Sequence, residues 1–267
     1  MPVTLELLIQ GARSRARALW ERRGALEREA AAAAPATPWL PIFSGPHLTV
    51  VAEVKRRSPS AGSIAPDLDP VGHAQAYVRG GARAISVLTD PVHFGGTVAD
   101  LRAVAAAVAV PVLCKDFLLD PLQLVEARAG GASAVLLIVR ALGPGELGAL
   151  MREAAGWGLG TLVEVHHAHE LEVALTAGAR VVGVNARDLA TFEMRHDQIE
   201  SVLARVPQGV VGIAESGLAT VHDVERVAAC GADGILVGTS VSRAPSPEAA
   251  VRALAAVPRR GRARGVG

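Results

Sequence analysis

Eight short apolar runs recur along most of this chain, each but the last followed by a segment of helical spacing. The runs are rich in β-branched residues and fall at 49–54, 84–88, 110–113, 134–139, 161–165, 181–184, 210–214 and 234–237. Between them lie Ala-rich amphipathic segments at 71–80, 98–108, 122–130, 144–156, 168–178, 199–206 and 221–231. Several end in Gly-Ala, at 81–82, 131–132, 178–179 and 231–232. Glycine there suits the left-handed residue that closes a helix before the next strand. Strands separated by helices pair in parallel through right-handed crossovers. Eight such units in a chain of 267 residues predict an α/β fold, a closed (β/α)8 TIM barrel. A doubly wound open sheet is the alternative, and it usually has fewer strands.

Ahead of the first run, Leu5, Leu8, Ile9, Ala12, Leu19 and Trp20 recur near helical spacing behind a capping Thr4. Residues 4 to about 34 therefore read as one helix, ended by Pro35, Pro38 and Pro41. The expected organisation is an N-terminal helical extension over 1–44, a barrel over 45–257 and a basic tail over 258–267. The tail holds Arg259, Arg260, Arg262 and Arg264. Its bland reading, a solvated and disordered end, outweighs that of a nucleic-acid arm.

Composition removes other classes. Net charge is +1 and aromatics make up 3%, so neither a basic field nor a stacking platform points to nucleic acid. The longest apolar stretch, around 103–114, is interrupted by Pro111 and too short to span a bilayer. The N-terminus mixes Glu6 with Arg13, Arg15 and Arg17, unlike a secretory leader. Cys114 and Cys230 are too few for a disulfide framework or a zinc site. A cytoplasmic location is expected.

Of the 27 Lys+Arg, only Lys55 and Lys115 are lysine. Where a chain prefers arginine this strongly, a surviving lysine suggests a need for an ammonium that can release a proton. In a TIM barrel the working residues lie at the C-terminal ends of the strands, and both lysines fall there. Glu53 and Lys55 are two apart on a strand and share a face. Burying such a pair against the helices would be costly, so the barrel mouth is the expected direction. Glu164, Asn185 and Glu215 end three further strands at the same rim. Ammonium groups and carboxylates gathered in one cleft shift each other's proton affinities in ways that serve proton transfer. A salt-bridge network that only closes the barrel top is the competing reading. Ser216-Gly217 and Gly238-Thr239 follow the last two strands, where these barrels bind phosphate. His166, His167 and His169 read as the exposed start of a helix and not as a metal site.

The stretch Val51-Ala52-Glu53-Val54-Lys55-Arg56-Arg57-Ser58-Pro59-Ser60 resembles the signature of the indole-3-glycerol phosphate synthase family. So do AISVLT from 84, LCKDF from 113, LVEVH from 162, VGVNARDL from 182 and IAESG from 213. The resemblance runs in order from about residue 45 to about 250. It departs at Ala186, where a second Asn is frequent, at Leu122, where a Tyr is frequent, and at Thr239, commonly Glu or Ser.

That resemblance implies ring closure of 1-(2-carboxyphenylamino)-1-deoxyribulose 5-phosphate, with loss of carbon dioxide and water, in tryptophan biosynthesis. It implies no cofactor and no metal. By the same analogy Lys115 is the acid that protonates the substrate ketone. Lys55, Glu53 and Glu164 are the candidates for the later acid and base, with their roles left open. Asn185 and Glu215 would orient the substrate and tune the lysines, and Arg187 would hold the anthranilate carboxylate. Ser58, Ser216, Gly217, Gly238 and Thr239 would cradle the phosphate, and Phe94 and Phe117 would line the aryl pocket. The loop 56–65 reads as a lid. The expected partner is a small phosphorylated molecule, with no nucleic acid and no membrane, on a monomer or homodimer. The rival enzyme reading, an isomerase such as phosphoribosylanthranilate isomerase, would need a Cys–Asp acid–base pair. Cys114 should face away from the mouth, because Lys115 faces into it.

Overall fold

The alternation closes as expected. In a computed structural model describing residues 3–143, 145–187 and 194–261, the eight runs form parallel strands: β1 (Thr49–Val54), β2 (Ala84–Leu88), β3 (Val112–Lys115), β4 (Ala134–Ile138), β5 (Gly160–Val165), β6 (Val181–Asn185), β7 (Val211–Glu215) and β8 (Gly234–Val237). Each pairs with its neighbours in sequence, and β1 pairs with both β2 and β8, so the sheet has no free edge.

Strand alternation divides the core in two. Val51, Ala84, Leu113, Ala134, Leu136, Leu162, Val181, Ile213 and Leu236 face the barrel interior, with Trp39 and Phe43 packed into the same cluster. Val50, Ile85, Val135, Val163, Val182, Ala214 and Ile235 face outward into the cluster shared with the helices. Those helices are α3 (Pro70–Arg79), α4 (Val98–Ala107), α5 (Pro121–Ala129), α6 (Glu146–Gly156), α7 (Ala168–Thr176), α8 (His196–Leu203), α9 (Val221–Ala229), a four-residue α10 (Thr239–Ser242) and α11 (Pro247–Ala255). Gly81, Gly131, Gly178 and Gly231 all take positive φ, the left-handed closure anticipated for Gly-Ala.

The N-terminal extension departs from a single helix. It is α1 (Leu5–Leu19), a 3-10 turn at Trp20–Arg22, and α2 (Arg23–Ala32). The break lets each half pack on a different surface. Leu5, Leu8 and Ala12 of α1 join the barrel-interior cluster. Leu26 and Ala30 of α2 pack on Leu122 and Val125 of α5. Trp20 at the break donates its indole N–H to Asp120, 3.2 Å away. Arg15 clamps α1 to the rim, through Asp90 after β2 at 3.0 Å and Asp116 after β3 at 2.6 Å.

The basic tail also departs from its reading where it is described. Arg259 pairs with Asp233 and donates to the Phe43 carbonyl, and its N–H donates to the Pro46 carbonyl at 2.9 Å. The start of the tail is thus docked at the closed end of the barrel. Arg262 and Arg264 lie outside the described residues. Helix α8 begins three residues before the expected 199, because its first turn is polar and invisible to apolar spacing. Pro144, the expected start of α6, lies outside the described residues.

Candidate active site

The interior row of β1 continues Thr49, Val51, Glu53 and then Lys55, so the last two side chains rise into the barrel mouth. Glu53 is 2% exposed. Its Oε1 lies 2.6 Å from Lys55 Nζ and its Oε2 lies 3.6 Å from Lys115 Nζ. Burial alone would raise the Glu53 carboxyl, but the two ammonium groups outweigh it and hold Glu53 below the usual carboxylate range. Lys115 also lies 4.0 Å from Glu215 Oε2. Burial would lower the Lys115 ammonium, yet Glu53, Glu164 and Glu215 together raise it. Lys115 therefore keeps its proton at neutral pH.

Glu164 and Glu215, each 1% exposed, stand on β5 and β7 with β6 between them. The intervening interior position is Gly183. A Cβ there would fall 1.9 Å from Glu215 Oε1. The Glu215 carboxyl thus occupies the space a side chain at 183 would take. Burial first, then the Glu164 charge, push Glu215 well above the usual carboxylate range, against the pull of Lys115. A parallel vacancy lies on β8's end. A Cβ at Gly238 would fall 2.5 Å from Glu53 Oε1 and 3.0 Å from Lys55 Nζ. Gly238, expected to help cradle the phosphate, makes room for the Glu53–Lys55 pair.

All fourteen residues singled out from the sequence line one cavity of about 460 Å³, a size suited to a small-molecule ligand. Lys55, Lys115, Glu53, Glu164, Asn185 and Glu215 form its floor at the strand ends. Asn185 Oδ1 accepts the Arg187 N–H at 2.9 Å, which ties the loop carrying Arg187 back to β6. Ser216 and Gly217 take left-handed backbone, φ 67° and 70°. For Ser216 that conformation is strained, by about 1 kcal/mol or more. It turns the chain sharply after β7, so that residues 216–219 run along the cavity wall. Thr239 opens α10 beside them, with Gly238 as its N-cap. Opposite, Ser58 sits on a short hairpin, Arg57–Ser58 with Gly62–Ser63. Its Oγ accepts the Ala61 N–H at 3.1 Å. Phe94, half-buried, and Phe117, buried, complete the wall.

The cavity also takes residues that strand-end logic misses. Leu8 reaches it from α1, and Leu136 and Ile138 from β4. Only the seating of α1 over the mouth brings Leu8 there, and β4 ends without a polar residue to draw notice. His166 departs from its reading as an exposed helix start. It is 2% exposed, held between Glu164 and Glu170. His167 and His169 do lie at the start of α7, stacked on each other. Among the described residues, no group of three or more His, Cys, Asp or Glu is arranged to hold a metal ion, and no helix is long and apolar enough to cross a membrane.

Two of the sequence departures turn away from the cavity. Ala186 packs in the outer cluster, and Leu122 packs under α2. Cys114 likewise faces the outer layer beside Thr89, at 3.6 Å. Burial pushes its thiol up to about 12, so it offers no acid–base pair at the mouth.

Comparison with known proteins agrees with this arrangement. The family model described as indole-3-glycerol phosphate synthase matches residues 25–254. An indole-3-glycerol phosphate synthase of Mycobacterium ulcerans is 46% identical over 250 residues, covering 92% of each chain. Indole-3-glycerol phosphate synthase 1 of Streptomyces coelicolor is 47% identical, covering 86% of each. Among solved structures, 3-hexulose-6-phosphate synthase from Salmonella typhimurium aligns with a TM-score of 0.63 at 16% identity, covering 78% of this chain and 97% of its own. Thiamine phosphate pyrophosphorylase from Pyrococcus furiosus aligns with a TM-score of 0.57 at 18% identity, covering 78% and 93%. These two share the fold alone. The close relatives and the family match, spanning nearly the whole barrel, make this chain a member of the indole-3-glycerol phosphate synthase family.

Proposed function

We propose that the lysine–glutamate cluster at the barrel mouth carries out the indole-forming reaction of the family on 1-(2-carboxyphenylamino)-1-deoxyribulose 5-phosphate. The observation that carries this reading is Glu53 bridging two ammonium groups inside a cavity walled by phenylalanines. Ring closure joins the carboxylate-bearing aromatic carbon to the ketone carbon, and the ketone oxygen must take a proton. Lys115 supplies it, being the ammonium that three carboxylates keep charged. The carboxylate then leaves as carbon dioxide, and its electron pair restores the aromatic ring.

Dehydration needs an acid for the departing hydroxyl and a base for a proton of the new ring. Glu53 is a poor choice for either role. It is held ionised, hence no acid, and its proton affinity is depressed, hence a weak base. Glu215 is pushed the other way, well above the usual carboxylate range, by burial and by the Glu164 charge beside it. Lys55 is thus the acid and Glu164 the base. Glu53 keeps both lysines charged and aimed. Arg187 faces the anthranilate carboxylate, Phe94 and Phe117 enclose the aryl ring, and Ser58 with residues 216–217 and 238–239 cradles the phosphate.

The test is direct. Purified protein given this substrate should yield an indole fluorophore and one carbon dioxide per product. Absence of both, with the phosphate substrate still bound, overturns the reading.

A further inference from the structure

His166 follows β5 by one residue, and its ring is buried between two carboxylates. On one side, Nδ1 lies 3.3 Å from Glu170 Oε2, which also accepts the His166 backbone N–H at 2.6 Å. Glu170 in turn accepts from Arg140 Nε at 3.0 Å. On the other side, Nε2 lies 3.5 Å from Glu164 Oε1. That nitrogen is fully buried and makes no hydrogen bond among the described residues. The charged groups around the ring are Glu164 on β5, Glu170 on α7, Arg140 behind Glu170, and His167 next in the chain. Beyond Glu164 stand Glu215 and Lys115.

The proton count around this ring is constrained. Burial would raise the Glu170 carboxyl, but His166 and Arg140 hold it down at about 2, so Glu170 is an ionised acceptor. Nδ1 must then carry a hydrogen. A neutral ring would point the bare lone pair of Nε2 at the oxygen of Glu164, with neither atom able to donate. Burying two acceptors face to face is costly. One proton on that line removes the conflict, whether it sits on Nε2 or on Oε1.

We propose that His166 is a positioning residue for Glu164: the two share a single proton along Nε2–Oε1, and this sharing aims the Glu164 carboxylate and sets its readiness as the base. The inference rests on the reading of Glu164 as base. With the proton on Nε2, Glu164 is a carboxylate facing the substrate. It takes one proton from the new ring while Lys55 gives one to the departing hydroxyl. Transfer of that proton from Glu164 back to Lys55 resets the pair, so no external donor is needed. Arg140 and Glu170 anchor the far side of the ring and fix which nitrogen faces the site, as second partners do for metal-bound histidines.

The experiment has two arms. Nitrogen-15 spectra of the histidine rings, recorded on wild type and on Glu164→Gln near pH 7, should show both His166 nitrogens protonated or exchanging in wild type. In Glu164→Gln, Nε2 should move to the unprotonated position while Nδ1 stays protonated. His166 signals unchanged by Glu164→Gln overturn the proposal. In the second arm, His166→Gln keeps a buried hydrogen-bonding group but cannot share a titrating proton. Its kcat should fall on the order of tenfold or more, a fraction of what a direct acid–base group contributes. KM should stay within about twofold, and the acidic limb of the kcat–pH profile should shift. A wild-type kcat–pH profile in that variant also overturns the proposal. Should His166→Gln not fold, the spectra of the first arm decide. Failure to form indole in the wild type would sink the functional reading and leave the spectra to judge the shared proton alone.

Discussion

Lys115 is expected to play two separable parts, as a charge and as a proton donor, and two substitutions divide them. Five charged groups meet at the mouth: Lys55, Lys115, Glu53, Glu164 and Glu215. Ionised together they sum to one negative charge. The raised proton affinity of Glu215 relieves it. Lys115→Met leaves one ammonium against three carboxyls, so the folded variant is expected to carry one more carboxyl proton than the folded wild type. In the unfolded chain those carboxyls titrate near the usual glutamate value and are bare at neutral pH. Where the folded state binds more protons than the unfolded one, stability falls as pH rises, by about 1.4 kcal/mol per pH unit per proton.

The stability lost in Lys115→Met should therefore grow with pH, by up to about 2.7 kcal/mol between pH 6 and pH 8. At pH 8 the total should be about 3–5 kcal/mol, the cost of stripping one partner from a buried ion cluster. Urea unfolding of both proteins at pH 6, 7 and 8, followed by tryptophan fluorescence, reads this directly. Lys115→Arg keeps the charge, so its difference from wild type should be nearly independent of pH. Turnover should collapse in both variants, because guanidinium does not release its proton. The loss should be roughly 10²-fold to 10⁴-fold. A pH-independent penalty in Lys115→Met, or substantial indole formation by Lys115→Arg, would refute the reasoning.

Gly183→Ala should leave a folded barrel but displace the Glu215 carboxyl, since the new Cβ would sit 1.9 Å from Oε1. Circular dichroism should be native, stability lower by about 1–3 kcal/mol, and kcat lower by roughly 10²-fold, the effect of misplacing a site group by about 1 Å. A wild-type kcat there would mean Glu215 does not need its present place. Thiol labelling at pH 8 should modify one cysteine in the native protein, Cys230, and reach Cys114 only on unfolding. The Cys114 thiol is buried and pushed up to about 12. Rapid native labelling at Cys114 would contradict its outward packing.

The barrel was legible because its signal is redundant. Eight apolar runs, their intervening helices and the Gly-Ala closures all call for the same parallel pairing. Three of the expected strands stop short at their C-terminal ends. Expected strands ended at 113, 184 and 214, whereas β3, β6 and β7 run on to Lys115, Asn185 and Glu215. In these three the apolar run stops short of the interior polar side chain, while the backbone ladder continues through it. The single-helix reading of residues 4–34 failed for a different reason. Spacing along the chain carries no sign that Leu8 must lie over the mouth while Leu26 must reach α5.

What the sequence could not convey is what the neighbours do to each group. Strand ends identify Glu53, Glu164 and Glu215 as equals, three glutamates on interior positions. Packing makes them unlike. Glu53 lies between two ammonium groups and is held ionised. Glu215 fills the vacancy above Gly183 beside another carboxylate and is pushed well above the usual carboxylate range. Glu164 faces a buried imidazole. The difference rests on residues with no acid–base chemistry of their own, Gly183 and Gly238, and on His166, whose neighbours in the chain gave it the look of a surface residue. One residue type thereby stands in three unlike settings, and proton affinity belongs to the surroundings as much as to the carboxyl.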